Sequence, residues 1–269
     1  MVDNKRFAFG KNWSHFLKVL DEPKIAEAEK SLQAALACSD LRGKNVLDIG
    51  SGSGLFSLAA MRLGASRVVS FDYDEDSVLC ARTLKNRFFS TSDSWTIQQG
   101  SALDPAYLNQ LGTFDVVYSW GVLHHTGNMW KALDLAGARV KPGGKLCVSI
   151  YNDQGSVSLR WKWVKRLYNG MPRIIRPLFV FIMGAIIWGP TILRDLFTHA
   201  NPFYTWLTYA KNRGMSPWYD LIDWVGGYPF EVASREALTA YYKDRGFRLD
   251  HLVSCGDGYG CNEFLFSRS

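Results

Sequence analysis

The chain has 269 residues, 47% of them hydrophobic and 21% charged, which is globular composition and argues against disorder. Its net charge of +6 is local: Gln154 to Arg194 holds seven basic residues and no acidic one, so the remainder sums to −1 (6 − 7) and a general nucleic-acid surface is disfavoured. Five cysteines (38, 80, 147, 255, 261) form no CxxC pair, which argues for free thiols in a reducing compartment rather than disulfides or zinc.

The opening MVDNKRFAFGKNW lacks the apolar core of a signal peptide, so a cytoplasmic protein is expected. Residues 24–38 place Ile25, Ala28, Leu32, Ala35 and Leu36 at helical spacing, within an N-terminal helical segment, 1–44. Short apolar runs follow at 45–49, 67–71, 95–99, 114–118 and 145–150, with helix-like stretches near 54–63, 75–88, 104–111 and 127–140 between them. This alternation predicts an α/β core over 45–150: a doubly wound, mostly parallel sheet with both faces covered. Pro142-Gly143-Gly144 reads as the turn that ends the last of these helices. The pattern breaks over 151–233, read as an insertion. It resumes over 234–269 with a helix that Ser234 caps and two directly joined strands, an antiparallel ending.

The string LDIGSGSGLF, 47–56, leaves the first strand and opens the first helix. Gly50, Gly52 and Gly54 permit a sharp turn and the close approach of a ligand. Asp72 ends the second strand about twenty residues further on, where a carboxylate can accept from ribose hydroxyls or, in the plainer reading, cap the next helix. Asp48, Asp72, Gly100-Ser101 and Ser119-Trp120 all fall at or just beyond strand ends, where ligands of such sheets bind. A dinucleotide fingerprint would need glycine at the sixth position from Gly50, and this chain has Leu55 there.

These motifs (LDIGSGSG, Asp72 in VVSFDYD, FDVVYSWGVLHH and VKPGGKL) resemble those of the class I S-adenosylmethionine-dependent methyltransferases, especially the quinone methylases and other small-molecule members. The resemblance covers 45–150 and the ending at 247–267, and it implies a Rossmann-like sheet of seven strands whose last strand is antiparallel. It also implies S-adenosyl-L-methionine as cofactor. Asp48 and the loop glycines Gly50, Gly52 and Gly54 would lie beside the methionine part, Asp72 at the ribose, and Ser101 and Ala102 at the adenine; Ser51, Tyr73, Ser119 and Trp120 join them as cofactor-binding candidates. The family usually has an acid in the loop after strand three, whereas this chain has Ser101, with Asp104 three residues on.

Recognition of a small, hydrophobic acceptor is expected where the chain departs from a minimal fold, in the insertion 151–233 and the N-terminal segment. Pro177 to Leu193 is an uncharged run of seventeen residues, interrupted by Gly184, Gly189 and Pro190, so a pair of helices is expected rather than a membrane span. It reads either as a hydrophobic cap over the site or as a patch with a basic flank that meets anionic lipid in peripheral contact. The stretch 213–234 sets Trp218, Tyr219, Trp224, Tyr228 and Phe230 among Asp220, Asp223 and Glu231, either an acceptor pocket or a packed loop. His125, Asp223, Tyr228 and Glu231 are the candidate catalytic groups, for deprotonating or orienting the acceptor. His15, His199 and His251 have no partners in sequence, and Cys255 and Cys261 make a poor metal pair, so no metal is expected. A nucleic-acid methyltransferase and a non-catalytic cofactor-binding protein at a membrane are the competing readings.

Overall fold

β-branched and aromatic runs bounded by turn residues become the strands β1 (Asn45–Ile49), β2 (Arg67–Asp72), β3 (Trp95–Gln99), β4 (Phe114–Trp120), β5 (Val140–Tyr151), β6 (Phe247–Val253) and β7 (Cys261–Arg268). The helices are α1 (Glu22–Leu36), α2 (Leu55–Arg62), α3 (Glu75–Phe88), α4 (Pro105–Leu111), α5 (Met129–Gly137), α6 (Ser156–Gly170), α7 (Arg176–His199), α8 (Tyr204–Arg213), α9 (Pro217–Gly226) and α10 (Arg235–Lys243). This computed structural model describes residues 13, 16, 17, 20–213, 217–256 and 258–269. Residues 1–12, His15 and 214–216 of the aromatic stretch, which figure in the readings above, lie outside the described residues.

The strands form one sheet in the order β3-β2-β1-β4-β5-β7-β6. β1 to β5 are parallel, and β7 runs antiparallel to both its neighbours. Neighbouring residues of one strand serve opposite faces, as the two-residue period requires. Val46 and Val68 meet Ile25, Leu32, Leu58 and Leu84 from α1, α2 and α3. Leu47 and Val69 meet Leu108, Leu133, Leu238 and Tyr242 from α4, α5 and α10. The sheet is therefore covered on both sides, as its apolar strands predict.

Short polar side chains start the helices. Asp21, Asp74, Asp104, Asn128 and Ser234 each accept a first-turn N–H, and each such cap contributes about 1 kcal/mol. Asp74, not Asp72, thus caps the helix after β2. Pro142-Gly143-Gly144 likewise differs from expectation. α5 ends at Gly137, and the triplet lies inside β5 as a bulge: between Phe114↔Val140 and Val116↔Lys145, β4 advances two residues and β5 five. Gly143, at φ +73°, permits the detour.

The chain divides into two compact units, Leu159–Pro229 and a larger one that holds the sheet. In the larger unit Asn152 bridges Ala233, so the segment between them leaves and rejoins the sheet at one place beyond β5. In Leu159–Pro229, α7 is one helix of 24 residues instead of the expected pair. Pro177 sits in its first turn, where an N–H is not needed, and Pro190 removes a single internal hydrogen bond.

Candidate functional site

The strand order reverses between β1 and β4, since β2 and β3 extend one way from β1 while β4 pairs on its other side. Such a switch point opens a crevice at the carboxyl ends of the strands. β1 ends there at Ile49, and Gly50 turns the chain with φ +74°, a backbone that side chains rarely adopt. The N–H groups of Gly50 and Ser51 donate to the Phe71 carbonyl at 2.8 and 3.1 Å, which ties the loop to β2. A Cβ at Gly50 would stand 2.3 Å from Val122 Cγ1, and one at Gly52 3.0 Å from the Trp13 indole. The loop thus presents bare backbone. Gly54 supplies no side-chain cap to α2, so the N–H groups of its first turn open toward the loop.

Two carboxylates brace this loop. Asp72 accepts from Gly52 N at 2.9 Å and from Asp74 N at 2.9 Å, so it shapes the glycine turn directly. Asp48 is buried beneath, at the end of a donor chain: Trp95 Nε1 donates to Ser70 (2.6 Å), Ser70 to Ser57 (2.8 Å) and Ser57 to Asp48. Burial lifts the Asp48 carboxyl to about 7; the Ser57 hydroxyl pulls against that rise and the charge of Asp72 adds to it.

The other strand ends complete the crevice. Ser119 donates to the Ile49 carbonyl at 3.0 Å and pins β4 to β1. Ser101 accepts from Leu103 N within its own turn, while Asp104 caps α4 through Ala106 and Tyr107 N–H and is committed there. Ala102 packs against the core beside Leu103. Tyr73, just past β2, and Trp120, the last residue of β4, hold large exposed rings. The Ser51 hydroxyl is buried and has no hydrogen-bond partner among the described residues. A backbone cradle with an unmet hydroxyl and a carboxylate alongside fits a polar adenosyl ligand; a carboxylate has roughly four acceptor sites, so anchoring the loop and meeting a ribose are compatible.

After β4 a 3₁₀ turn, Leu123–His125, begins directly beyond Val122, the residue that packs on Gly50. Both histidines are buried. His124 Nδ1 accepts from Tyr151 N at 3.3 Å, which assigns its proton to Nε2. The rings cluster: His124–Tyr151 at 4.0 Å, His124–His125 at 4.5 Å, His125–Tyr151 at 5.5 Å and Tyr151–Phe230 at 5.2 Å. Glu231 is bound into the same corner, its N–H donating to the His124 carbonyl and its Oε2 accepting from Met129 N, both at 3.0 Å.

A family model described as a methyltransferase domain matches residues 24–252. The chain belongs to that family. The mitochondrial ubiquinone biosynthesis O-methyltransferase of Dictyostelium discoideum is 33% identical over 119 residues, 42% of this chain and 36% of that protein. The ubiquinone biosynthesis O-methyltransferase of Xanthomonas oryzae pv. oryzae is 34% identical over 113 residues, 42% of this chain and 45% of that protein. The matched stretch spans less than half the length of these relatives. Among solved structures, magnesium protoporphyrin IX methyltransferase from Synechocystis with bound S-adenosylhomocysteine superposes with a TM-score of 0.53 at 17% identity, over 91% of this chain and 84% of that one. At such identity the likeness shows the fold.

In this chain the structure gathers Asp48, Gly50, Ser51, Gly52, Gly54, Asp72, Tyr73, Ser101, Ala102, Ser119 and Trp120 at the carboxyl ends of β1 to β4, with His125 and Glu231 beyond β4 and β5. Asp223 and Tyr228 belong to the other unit. There the Asp223 carbonyl accepts from Gly227 N at 2.8 Å and its charge acts on the buried Lys165, whose ammonium burial lowers to about 7. Sequence reasoning missed Trp13 and Tyr151. Trp13 stands 39 residues before Gly52 with no motif to join them, and Tyr151 follows an apolar run that reads as strand alone. Among the described residues no cluster of three or more His, Cys, Asp and Glu could hold a metal ion.

Proposed function

We propose that this methyltransferase transfers a methyl group from S-adenosylmethionine to a hydroxyl on a small, hydrophobic ring, by in-line displacement. The observation that carries the proposal is the contact of Val122 with Gly50, which sets the His125 turn beside the glycine loop. The 33–34% identity to ubiquinone O-methyltransferases supports a phenolic acceptor. The cofactor supplies a methyl already activated on a sulfonium sulfur, so the chain's task is alignment and proton removal.

In this reading Asp72 with Tyr73 takes the ribose, and Ser101 and Ala102 border the adenine. Asp48, Ser51 and the glycine backbone flank the methionine part, with Ser119 and Trp120 closing the crevice. His125 accepts the hydroxyl proton as the oxygen–methyl bond forms and the carbon–sulfur bond breaks, leaving S-adenosylhomocysteine. Tyr151 and Phe230 hold the His125 turn in place, and Glu231 fixes the start of α5.

The test is S-adenosylhomocysteine release with a short-chain alkyl catechol as acceptor. His125→Asn is expected to lower turnover about 100- to 10,000-fold while cofactor affinity stays nearly unchanged. Wild-type turnover in that variant contradicts the role of His125. Asp223→Asn and Tyr228→Phe enter the same assay; a comparable loss there, with unchanged affinity, would move the proton acceptor to the other unit.

A further inference from the structure

α7 carries apolar side chains on every side. One face joins the small core of its own unit, where Val180 packs with Tyr168, Leu221 and Val225. The opposite face is exposed along the whole helix: Leu178, Phe181, Ile182, Ile186, Leu193 and Phe197 recur at helical spacing, Phe181 at 67% exposure and Phe197 at 84%. Ile174, 88% exposed, precedes the helix, and Leu159, Trp163 and Leu167 make a second exposed apolar row on α6. Such continuous patches mark a surface that something covers.

Charge identifies the cover. Arg160, Lys162, Arg166 and Arg173 are exposed beside these rows, the Arg166 guanidinium stands 5.7 Å from the Trp163 ring centre, and no acid occurs from Gln154 to Arg194. Apolar stripes bordered by Arg, Lys and an exposed Trp are the chemistry of a helix lying in an anionic lipid interface. At 24 residues α7 is long and apolar enough to cross a bilayer. Its other face, however, is held by protein, and near its end Asp195 is buried against Thr205 at 2.7 Å and Arg194 at 3.0 Å. A crossing of the run 177–193 would strip Val180 of its packing and set the buried Asp195 and its partners at the edge of the hydrocarbon.

We infer that the Leu159–Pro229 unit docks on an anionic membrane surface, with the exposed faces of α6 and α7 entering the interface. The inference is independent of the methyl-transfer reaction. Its test is co-sedimentation of the full chain with vesicles of phosphatidylcholine alone or mixed with phosphatidylglycerol. Binding is expected to the mixed vesicles and to fall roughly tenfold between about 0.1 and about 1 M salt, over which the screening length shrinks from about 10 to about 3 Å. Phe181→Glu/Ile186→Glu should lose binding at least tenfold while retaining the native circular dichroism spectrum, and Arg160→Glu/Arg166→Glu should lose the preference for anionic vesicles. No binding by the wild type, or equal binding by the Phe181→Glu/Ile186→Glu variant, overturns the proposal. So does a dimer in vesicle-free buffer that this variant abolishes, since a second copy would then cover the face. Retention in membranes after alkaline carbonate washing also overturns it, in favour of a crossing helix.

Discussion

Burial makes Asp48 a pH-sensitive element of the fold. Its carboxyl moves from an ordinary 3.8 to about 7, chiefly by desolvation. Between those values the folded chain keeps a proton that the unfolded chain releases, so the group's contribution to stability falls as pH rises through that window and levels off above it. At 1.36 kcal/mol per pH unit the change is on the order of 4 kcal/mol. Asp48→Asn has no such proton to lose, so its stability relative to wild type should rise between about pH 5 and 8; urea denaturation at both values measures this. An unchanged difference contradicts the ionisation assigned to Asp48. Gly50 offers a second residue-scale test. Alanine there meets both φ +74° and Val122 at 2.3 Å, and should cost about 2–4 kcal/mol from backbone strain and overpacking together. Adding Val122→Ala removes both Cγ atoms but leaves its Cβ 2.9 Å away, so it should recover a share of the packing part and none of the backbone part, which a double-mutant cycle measures.

At the scale of elements, Glu231 has a visible structural duty, holding the first N–H of α5 from a segment 102 residues away. Glu231→Ala should therefore destabilise the fold by about 1 kcal/mol, as loss of a cap does. Glu231→Gln, which keeps an acceptor, should lower turnover less than tenfold; a loss of about 100-fold or more would instead mark a general base. The elements themselves were legible wherever the signal is local. The short apolar runs such as NVLDI and RVVSF, the cap of Ser234 and the turn at LDIGSGSG need only near neighbours. Pro142-Gly143-Gly144 misled because a bulge and a helix-ending turn use the same residues, and only pairing with β4 distinguishes them. Pro190 misled for a related reason: a helix packed along one face tolerates one missing hydrogen bond. The ring cluster of His124, Tyr151 and Phe230 was illegible because three separated segments meet through pairing in the sheet.

For the molecule as a whole, the sheet unit concentrates the cofactor geometry, and Leu159–Pro229 concentrates the positive charge and the exposed apolar rows. The sequence carried the first in four ordered motifs, while the second showed as composition without geometry. The central claim is that the crevice at β1 and β4 binds an adenosyl methyl donor through Asp72 and the glycine loop. Calorimetric titration of the full chain with S-adenosylhomocysteine and, separately, with NAD tests it most directly. Saturable binding of S-adenosylhomocysteine is expected and none of NAD. Asp72→Ala should weaken the former by about 1.5–3 kcal/mol for each charge-assisted hydrogen bond lost. Tight NAD binding without a response to S-adenosylhomocysteine, or undiminished affinity in Asp72→Ala, would contradict the account.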